Sequence, residues 1–224
     1  MDWTALWVSL RLSLATMAAL VVVGMPIAYW IAFSSWRWKA LVVAVVALPL
    51  VLPPTVLGFY ILMAIGPRSP VGHLYGMMAG RGLAFSFEGL LVASILYSLP
   101  FAVQPFSAAF VSVDRRLLEV SWSLGHSRAS TFARVVLPLS VPGLVTGMVL
   151  SFAHTLGEFG VVLMVGGNRP GVTRTVSISI YDAVQALDYA AAWHTSLFLL
   201  FISFAILAIT YSLQRTVWAA WPIH

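Results

Sequence analysis

Long apolar stretches bounded by charge divide this chain. Arg11 and Arg37 are separated by 25 uncharged residues, Lys39 and Arg68 by 28, and Glu88 and Asp114 by 25. Arg134 and Glu158 are separated by 23, and Asp188 and Arg215 by 26. A helix that crosses a bilayer needs about 20 mainly apolar residues, so the pattern predicts five spans. A sixth apolar run, 159–167, is too short to cross alone as a helix and is expected to pair with neighbouring sequence as a re-entrant piece. The predicted fold class is all-α: a polytopic membrane protein with five transmembrane helices, or six if 159–188 also crosses. One transmembrane domain is expected over 1–224.

Composition agrees with this pattern. Of 224 residues, 61% are apolar and 8% charged, against roughly 25% charged in a typical soluble domain. A soluble chain of this size could not bury so much apolar surface, which excludes an ordinary soluble enzyme. The net charge of +5 comes from a small, scattered excess of Arg, so no nucleic-acid partner is expected. The chain has no cysteine, which excludes disulfides, iron–sulfur clusters and thiolate zinc sites. The first span is longer than a signal-peptide core and follows Met1-Asp2-Trp3, which has no basic residue; it reads as a retained span.

Lys and Arg set the expected orientation. With the N-terminus outside and the C-terminus inside, segments 34–39, 114–134 and 215–224 are cytoplasmic and hold seven cations and two acids. The outer segments hold five of each. Trp3, Leu6, Trp7 and Leu10 share one helical face and predict a short interfacial helix before the first span. Trp30, Trp36, Trp38, Trp218 and Trp221 flank spans where an aromatic belt sits.

The second span contains Pro49, Pro53 and Pro54. Proline removes a backbone donor and clashes with the preceding turn. A helix from residue 40 to about 48, a break, and a second helix from Thr55 are therefore expected. Broken backbone at membrane depth survives where it packs in protein or lines a wet cavity, so the three prolines are pathway or gate candidates; a passive kink is the plainer alternative.

The most informative segment is the inner loop 114–138. Val113, Leu117, Val120 and Leu124 repeat at helical spacing and predict a short amphipathic helix, capped by Ser112 or Asp114 and ended by Gly125. Ser127 is placed to cap a second short helix over 128–135, after which Leu137-Pro138 leads into the next span. A helix–Gly–helix elbow with an apolar stripe suits a soluble partner, and its basic residues also suit a lipid surface.

Candidate chemistry is sparse. No G-x-x-x-x-G-K-[ST] phosphate loop is present, and the single lysine, Lys39, follows Trp-Arg-Trp. The five histidines, at 73, 126, 154, 194 and 224, have no close metal spacing, and no metal site is expected. His154 and Glu158 lie four apart on one helical face, where a hydrogen-bonded pair is expected rather than a metal pair. Acids are nearly absent from span interiors, which argues against a proton relay. A membrane enzyme would need clustered acids or histidines, and a plain channel leaves the 114–138 loop unexplained.

A family resemblance rests on particular motifs. Glu119-Val120-Ser121, three residues, Gly125, nine residues, then Val135-Val136-Leu137-Pro138 resembles the E-A-A, x3, G, x9, I-x-L-P loop of ABC-importer permeases. Spacing, Glu, Gly and Leu-Pro are kept; the two alanines are Val120 and Ser121, and Ile is Val135. Pro49-Leu50-Val51-Leu52-Pro53-Pro54 with Gly58, Leu156-Gly157-Glu158-Phe159-Gly160, and Gly167-Asn168-Arg169-Pro170-Gly171 look like the permeases of molybdate importers, with Arg169 where Ile is expected. The resemblance covers about 9–215, and sulfate and tungstate permeases are close relatives.

The resemblance implies a transport subunit rather than an enzyme. Two copies would pair in the cytoplasmic membrane, each docking one ATPase through a coupling loop whose position and turn are set by Glu119 and Gly125. An external molybdate-binding protein would deliver cargo. ATP and Mg would belong to the ATPase, with no cofactor on this chain. Glu158 joins the pathway or gate candidates, and Arg169 and Arg174 become candidate outer contacts for an anion or the binding protein.

Overall fold

The computed structural model describes residues 2–219, with side chains through Thr210 and at Ser212. The Trp218 side chain and Trp221 lie outside the described residues. The architecture is all-α among these residues. The helices are α1 (Trp3–Phe33), α2 (Lys39–Ala47), α3 (Pro54–Ile65), α4 (Pro70–Ala79), α5 (Phe87–Val111), α6 (Arg115–Ser123), α7 (Arg128–Thr131), α8 (Leu137–Gly157), α9 (Gly160–Gly166), α10 (Val176–Gln185) and α11 (Tyr189–Ala219).

Four described helices are long and apolar enough to cross a membrane: Trp3–Phe33, Phe87–Val111, Arg128–Gly157 and Tyr189–Thr210. A fifth span exists if the bent pair Lys39–Leu50 and Pro54–Ile65 counts as one. The five predicted spans thus correspond to these elements, with the second broken as its prolines require.

The interfacial helix expected before span one is not separate. Trp3 to Phe33 form one helix of 31 residues, started by Asp2, whose Oδ1 accepts the Ala5 N–H at 2.9 Å. No Pro or Gly interrupts residues 3–23, and Arg11, a good helix former, lies within the helix with its guanidinium over the Phe87 ring, 4.2 Å from the centroid. Trp3 and Trp7 are exposed, as an interfacial position asks.

The frame is a three-helix core of α1, α5 and α8. Leu20, Ala102, Val103, Phe106, Phe110 and Leu144 are buried there. α5 and α8 run antiparallel and very close. Gly143 and Gly147 form a G-x-x-x-G pair on α8; a Cβ at either would lie 2.5 Å from the Ala109 Cβ or 2.6 Å from the Phe106 ring. Small residues at this spacing let apolar helices approach closely inside a membrane. Around this frame α3 packs on α9, and α10 on α11.

The helix α4 lies in a segment where the charge pattern predicts only an outer loop. Local chemistry makes it: Ser69 accepts the Gly72 N–H at 2.9 Å, Pro70 occupies the first turn, and Gly80 closes it with φ +66°. These are ordinary start and stop signals.

Candidate functional site

Two regions gather the residues singled out by sequence. The first is the elbow. Asp114 caps α6 through the Arg116 N–H at 2.9 Å, as expected. Gly125 (φ +82°) ends it: its N–H donates to Trp122 O at 2.9 Å, and His126 N–H donates to Ser121 O at 3.1 Å. This is the paired closure that a left-handed residue after a helix permits. Ser127 then caps α7 through the Ser130 N–H at 3.2 Å.

Within α6 the faces divide. Leu118 and Ser121 are buried against the bundle, whereas Leu117, Val120 and Leu124 point outward and are exposed. Val113 of the predicted stripe is buried and belongs to the core. Glu119 is exposed and lines a groove with Arg115, Trp122 and Arg128. The buried Ser121 and Thr131 hydroxyls lie 2.9 Å apart, tying α6 to α7 across the Gly125 turn.

The second half of the elbow differs from expectation. It is not a separate helix over 128–135. It runs through a wide π turn, Phe132–Val136, straight into α8. The cause is Pro138. A proline lacks the N–H for the carbonyl four residues back and its ring crowds that carbonyl, here that of Arg134. The backbone answers with a wider turn, in which Leu137 N–H donates to Phe132 O, five residues back. The elbow is therefore continuous with a membrane helix. Tyr29 of α1, Phe110 of α5 and Phe132 clamp this junction, with ring centroids 5.0–6.1 Å apart.

The second region lies where α8 ends. Glu158 is 5% exposed. Its Oε2 accepts from Ser94 Oγ at 3.4 Å, and Oε1 has no hydrogen-bond partner. His154 and Glu158 do not bond each other, contrary to expectation. Each faces its own serine on α5: His154 Nδ1 lies 2.9 Å from Ser98 Oγ, and Ser94 and Ser98 repeat the same four-residue spacing. Thr155 donates to Ser151 O and lies 2.9 Å from Ser98 Oγ. One consistent polarity follows, with His154 Nδ1–H donating to Ser98, Ser98 to Thr155, and Thr155 to the carbonyl. The His154 ring stacks on Phe101 at 3.8 Å. Among the described residues no three His, Cys, Asp or Glu side chains converge as metal ligands.

Beyond Glu158 the chain enters α9, seven residues, or about 10 Å at 1.5 Å per residue. It is too short to cross a bilayer, as expected for 159–167. It packs on α3, and Val161, Val162 and Val165 are fully buried. A Cβ on Gly160 would meet the Pro54 Cβ at 2.7 Å, and one on Gly58 would meet the Met164 Cβ at 2.8 Å. The structure thus brings the Pro49–Pro54 motif and the Glu158–Gly160 motif together. Pro49 is buried in a 3₁₀ turn (Leu48–Leu50), Pro54 starts α3, and the two halves of the broken span meet at 110°.

Arg169 and Arg174 sit apart from Glu158, in the loop after α9. Arg169 Nη1 donates to Phe85 O at 2.8 Å. Arg174 donates to Asp182 Oδ2 at 2.6 Å and Asn168 Oδ1 at 2.7 Å, and lies 3.7 Å from Asp2 Oδ2. Both guanidiniums hold the loop together. The serines Ser94 and Ser98 escaped the sequence reading because each lies more than 50 residues from its partner.

The comparisons with known proteins fall on this arrangement. Residues 24–218 match the model of the family described as binding-protein-dependent transport system inner membrane component. This chain belongs to that family. Its relatives include the molybdenum transport system permease protein ModB of Azotobacter vinelandii, 49% identical across 96% of this chain and 95% of the relative. ModB of Escherichia coli K12 is 35% identical across 82% of this chain and 80% of its own length.

Solved importers share the fold. A bacterial alginate ABC transporter in complex with alginate pentasaccharide-bound periplasmic protein superposes with a TM-score of 0.74 at 20% identity, covering 96% of this chain and 78% of that one. The MetNI methionine ABC transporter superposes with a TM-score of 0.72 at 16% identity, covering 95% and 94%. As a transport component of the inner membrane, this chain is a permease and not an enzyme.

Proposed function

We propose that this chain is the permease subunit of an ATP-driven molybdate importer and moves the oxyanion across the cytoplasmic membrane by alternating access. Its likeness to ModB of A. vinelandii over nearly the full length of both chains carries the choice of cargo. Tungstate or sulfate is the alternative cargo within the same fold.

In this reading 114–138 is cytoplasmic, the N-terminus is outside and the C-terminus inside. Leu117, Val120 and Leu124 offer the partner ATPase an apolar face, with Glu119, Ser121, Gly125, Leu137 and Pro138 fixing its position. The ATPase supplies ATP and Mg, and this chain binds no cofactor. Closing of two ATPases draws two elbows together. Because α7, the π turn and α8 are continuous, that displacement passes directly to the span that ends at Glu158. Two states that differ in affinity for ATP and for the loaded binding protein then exchange.

A second copy covers the exposed apolar face of α3, formed by Val56, Phe59, Tyr60 and Met63. The pathway runs beside the α3–α9 pair, with Pro49, Pro53, Pro54 and Glu158 at the gate. The outer loop held by Arg169 and Arg174 meets the molybdate-binding protein.

Molybdate uptake in cells with and without this chain, with tungstate and sulfate as competitors, tests the reading. Loss of molybdate uptake without the chain, with wild-type uptake blocked by tungstate and hardly by sulfate, is expected. Unaffected molybdate uptake with impaired sulfate uptake would make the cargo sulfate.

A further inference from the structure

Two hollows at the elbow end of the bundle share Tyr29 and Arg128. The larger, about 560 Å³, is a trough along α1, lined by Val21, Val22, Met25, Pro26, Ala129 and Phe132. The smaller, about 330 Å³, is lined by Phe33, Ser35, Arg115, Leu118, Glu119 and Trp122. They adjoin at Tyr29 and Arg128 as a groove, the larger part lined mainly by apolar residues and the smaller by Arg115 and Arg128 with one carboxylate, Glu119. Among the described residues, the guanidiniums of Arg115 and Arg128 have no hydrogen-bond or ion-pair partner, unlike those of Arg81, Arg169 and Arg174. The trough spans residues 21–29 of α1, a rise of about 12 Å at 1.5 Å per residue, within a helix apolar enough to cross the membrane.

We propose that this groove binds one anionic glycerophospholipid of the phosphatidylglycerol type, its phosphate between Arg115 and Arg128 and an acyl chain along Val21, Val22, Met25 and Pro26. The trough runs along a helix of span length and its lining is almost wholly apolar, which suits an acyl chain. Arg115 and Arg128 line the same smaller hollow; guanidinium forks match a phosphate diester, and basic pockets beside membrane helices bind acidic headgroups. Glu119 also lines that hollow and opposes a second negative charge there, which favours a singly charged phosphodiester over a phosphomonoester. Bound there, the lipid bridges α1 to α7 beneath the elbow. Placement in the inner leaflet rests on the cytoplasmic reading of 114–138; the groove itself does not.

The full-length chain, purified with its partner ATPase and supplied with phosphatidylglycerol or chain-matched phosphatidylcholine, is read by native mass spectrometry. Retention of phosphatidylglycerol over phosphatidylcholine is expected. Arg115→Gln with Arg128→Gln should lower the retained phosphatidylglycerol about tenfold, a difference near 1.4 kcal/mol, without changing phosphatidylcholine. Val22→Trp fills the trough while leaving both charges, and should lower it too. Equal retention of the two lipids, or undiminished phosphatidylglycerol in both variants, overturns the site. Displacement by soluble glycerol phosphate overturns the lipid claim, because the apolar trough would then contribute nothing. A chain that keeps the lipid but never holds an ATPase supports the site and removes the transport reading instead.

Discussion

Ser121 on α6 and Thr131 on α7 share a hydrogen bond of 2.9 Å, buried on both sides, across the Gly125 turn. Ser121 stands where the ABC-importer loop pattern has alanine, so this chain adds a polar tie at that place. A buried hydroxyl left without its partner costs about 1–3 kcal/mol. Ser121→Ala alone should therefore destabilise the elbow, and Thr131→Val added to it should recover part of the loss. A double-mutant cycle read by thermal unfolding should give a coupling of about 1 kcal/mol. Purely additive losses would mean that the bond contributes nothing.

Pro138 holds the π turn open. Pro138→Ala restores the missing N–H and removes the ring, so the Phe132–Val136 turn is free to close to a regular α-helix. Each residue taken out of register rotates what precedes it by about 100° around the helix axis. The outward face of α6 would then turn away from its docking direction. The variant should insert and fold at least as stably as the parent, yet couple ATP hydrolysis poorly to uptake. Normal coupling, measured as transported anion per ATP in vesicles, would assign Pro138 to folding alone.

Glu119→Ala removes an exposed carboxylate from the rim of the elbow while leaving Leu118 and Ser121 buried beneath it. Membrane insertion should be unchanged, and transport-stimulated ATPase activity should drop about tenfold, the effect of roughly 1.4 kcal/mol at a docking contact. Normal transport with normal assembly would remove Glu119 from the coupling role.

Much of the fold was legible because charge is costly inside a bilayer: most of the residues that bound the apolar runs also lie next to helix ends. The same rule misplaced Arg11, which lies inside α1 over the Phe87 ring, Arg134, which lies within the continuous helix Arg128–Gly157, and Arg215, which lies within α11. It passed over α4, an uncharged ten-residue helix that never approaches span length. The elbow was legible from caps and spacing, since Asp114, Gly125 and Ser127 act on neighbours a few residues away. The π turn was not, although Pro138 was in view, because a proline signals a disturbed helix without saying how the backbone accommodates it. The G-x-x-x-G pair Gly143–Gly147 was passed over in the sequence, and its partners Ala109 and Phe106 are known only from the packing. The Ser94–Glu158 and Ser98–His154 pairs join elements far apart in sequence, and no local pattern announces them.

Gly160→Val should separate the two short helices. Its new side chain would start 2.7 Å from the Pro54 Cβ, an atom held by its ring and unable to swing aside. Overpacking of this kind costs about 1–3 kcal/mol. Reduced thermal stability together with reduced uptake is expected. Unchanged stability would show that α3 and α9 separate easily, and the pair could not then serve as a rigid gate.

Pro53→Ala with Pro54→Ala tests the break itself. Alanine keeps the Cβ that packs against Gly160, so the contact between α3 and α9 survives in part. What changes is the backbone: two N–H donors return, and a helix continuing from residue 50 into residue 54 becomes possible. The 110° bend then loses its cause. A straighter second span would lift α3 from α9 and leave Val161 and Val165 without cover. The double variant should reach the membrane in normal amount, because apolar length is unchanged, and should transport slowly with ATPase activity no longer tied to uptake. Uptake equal to the parent would make the bend a passive kink and move the gate elsewhere along α5 and α8.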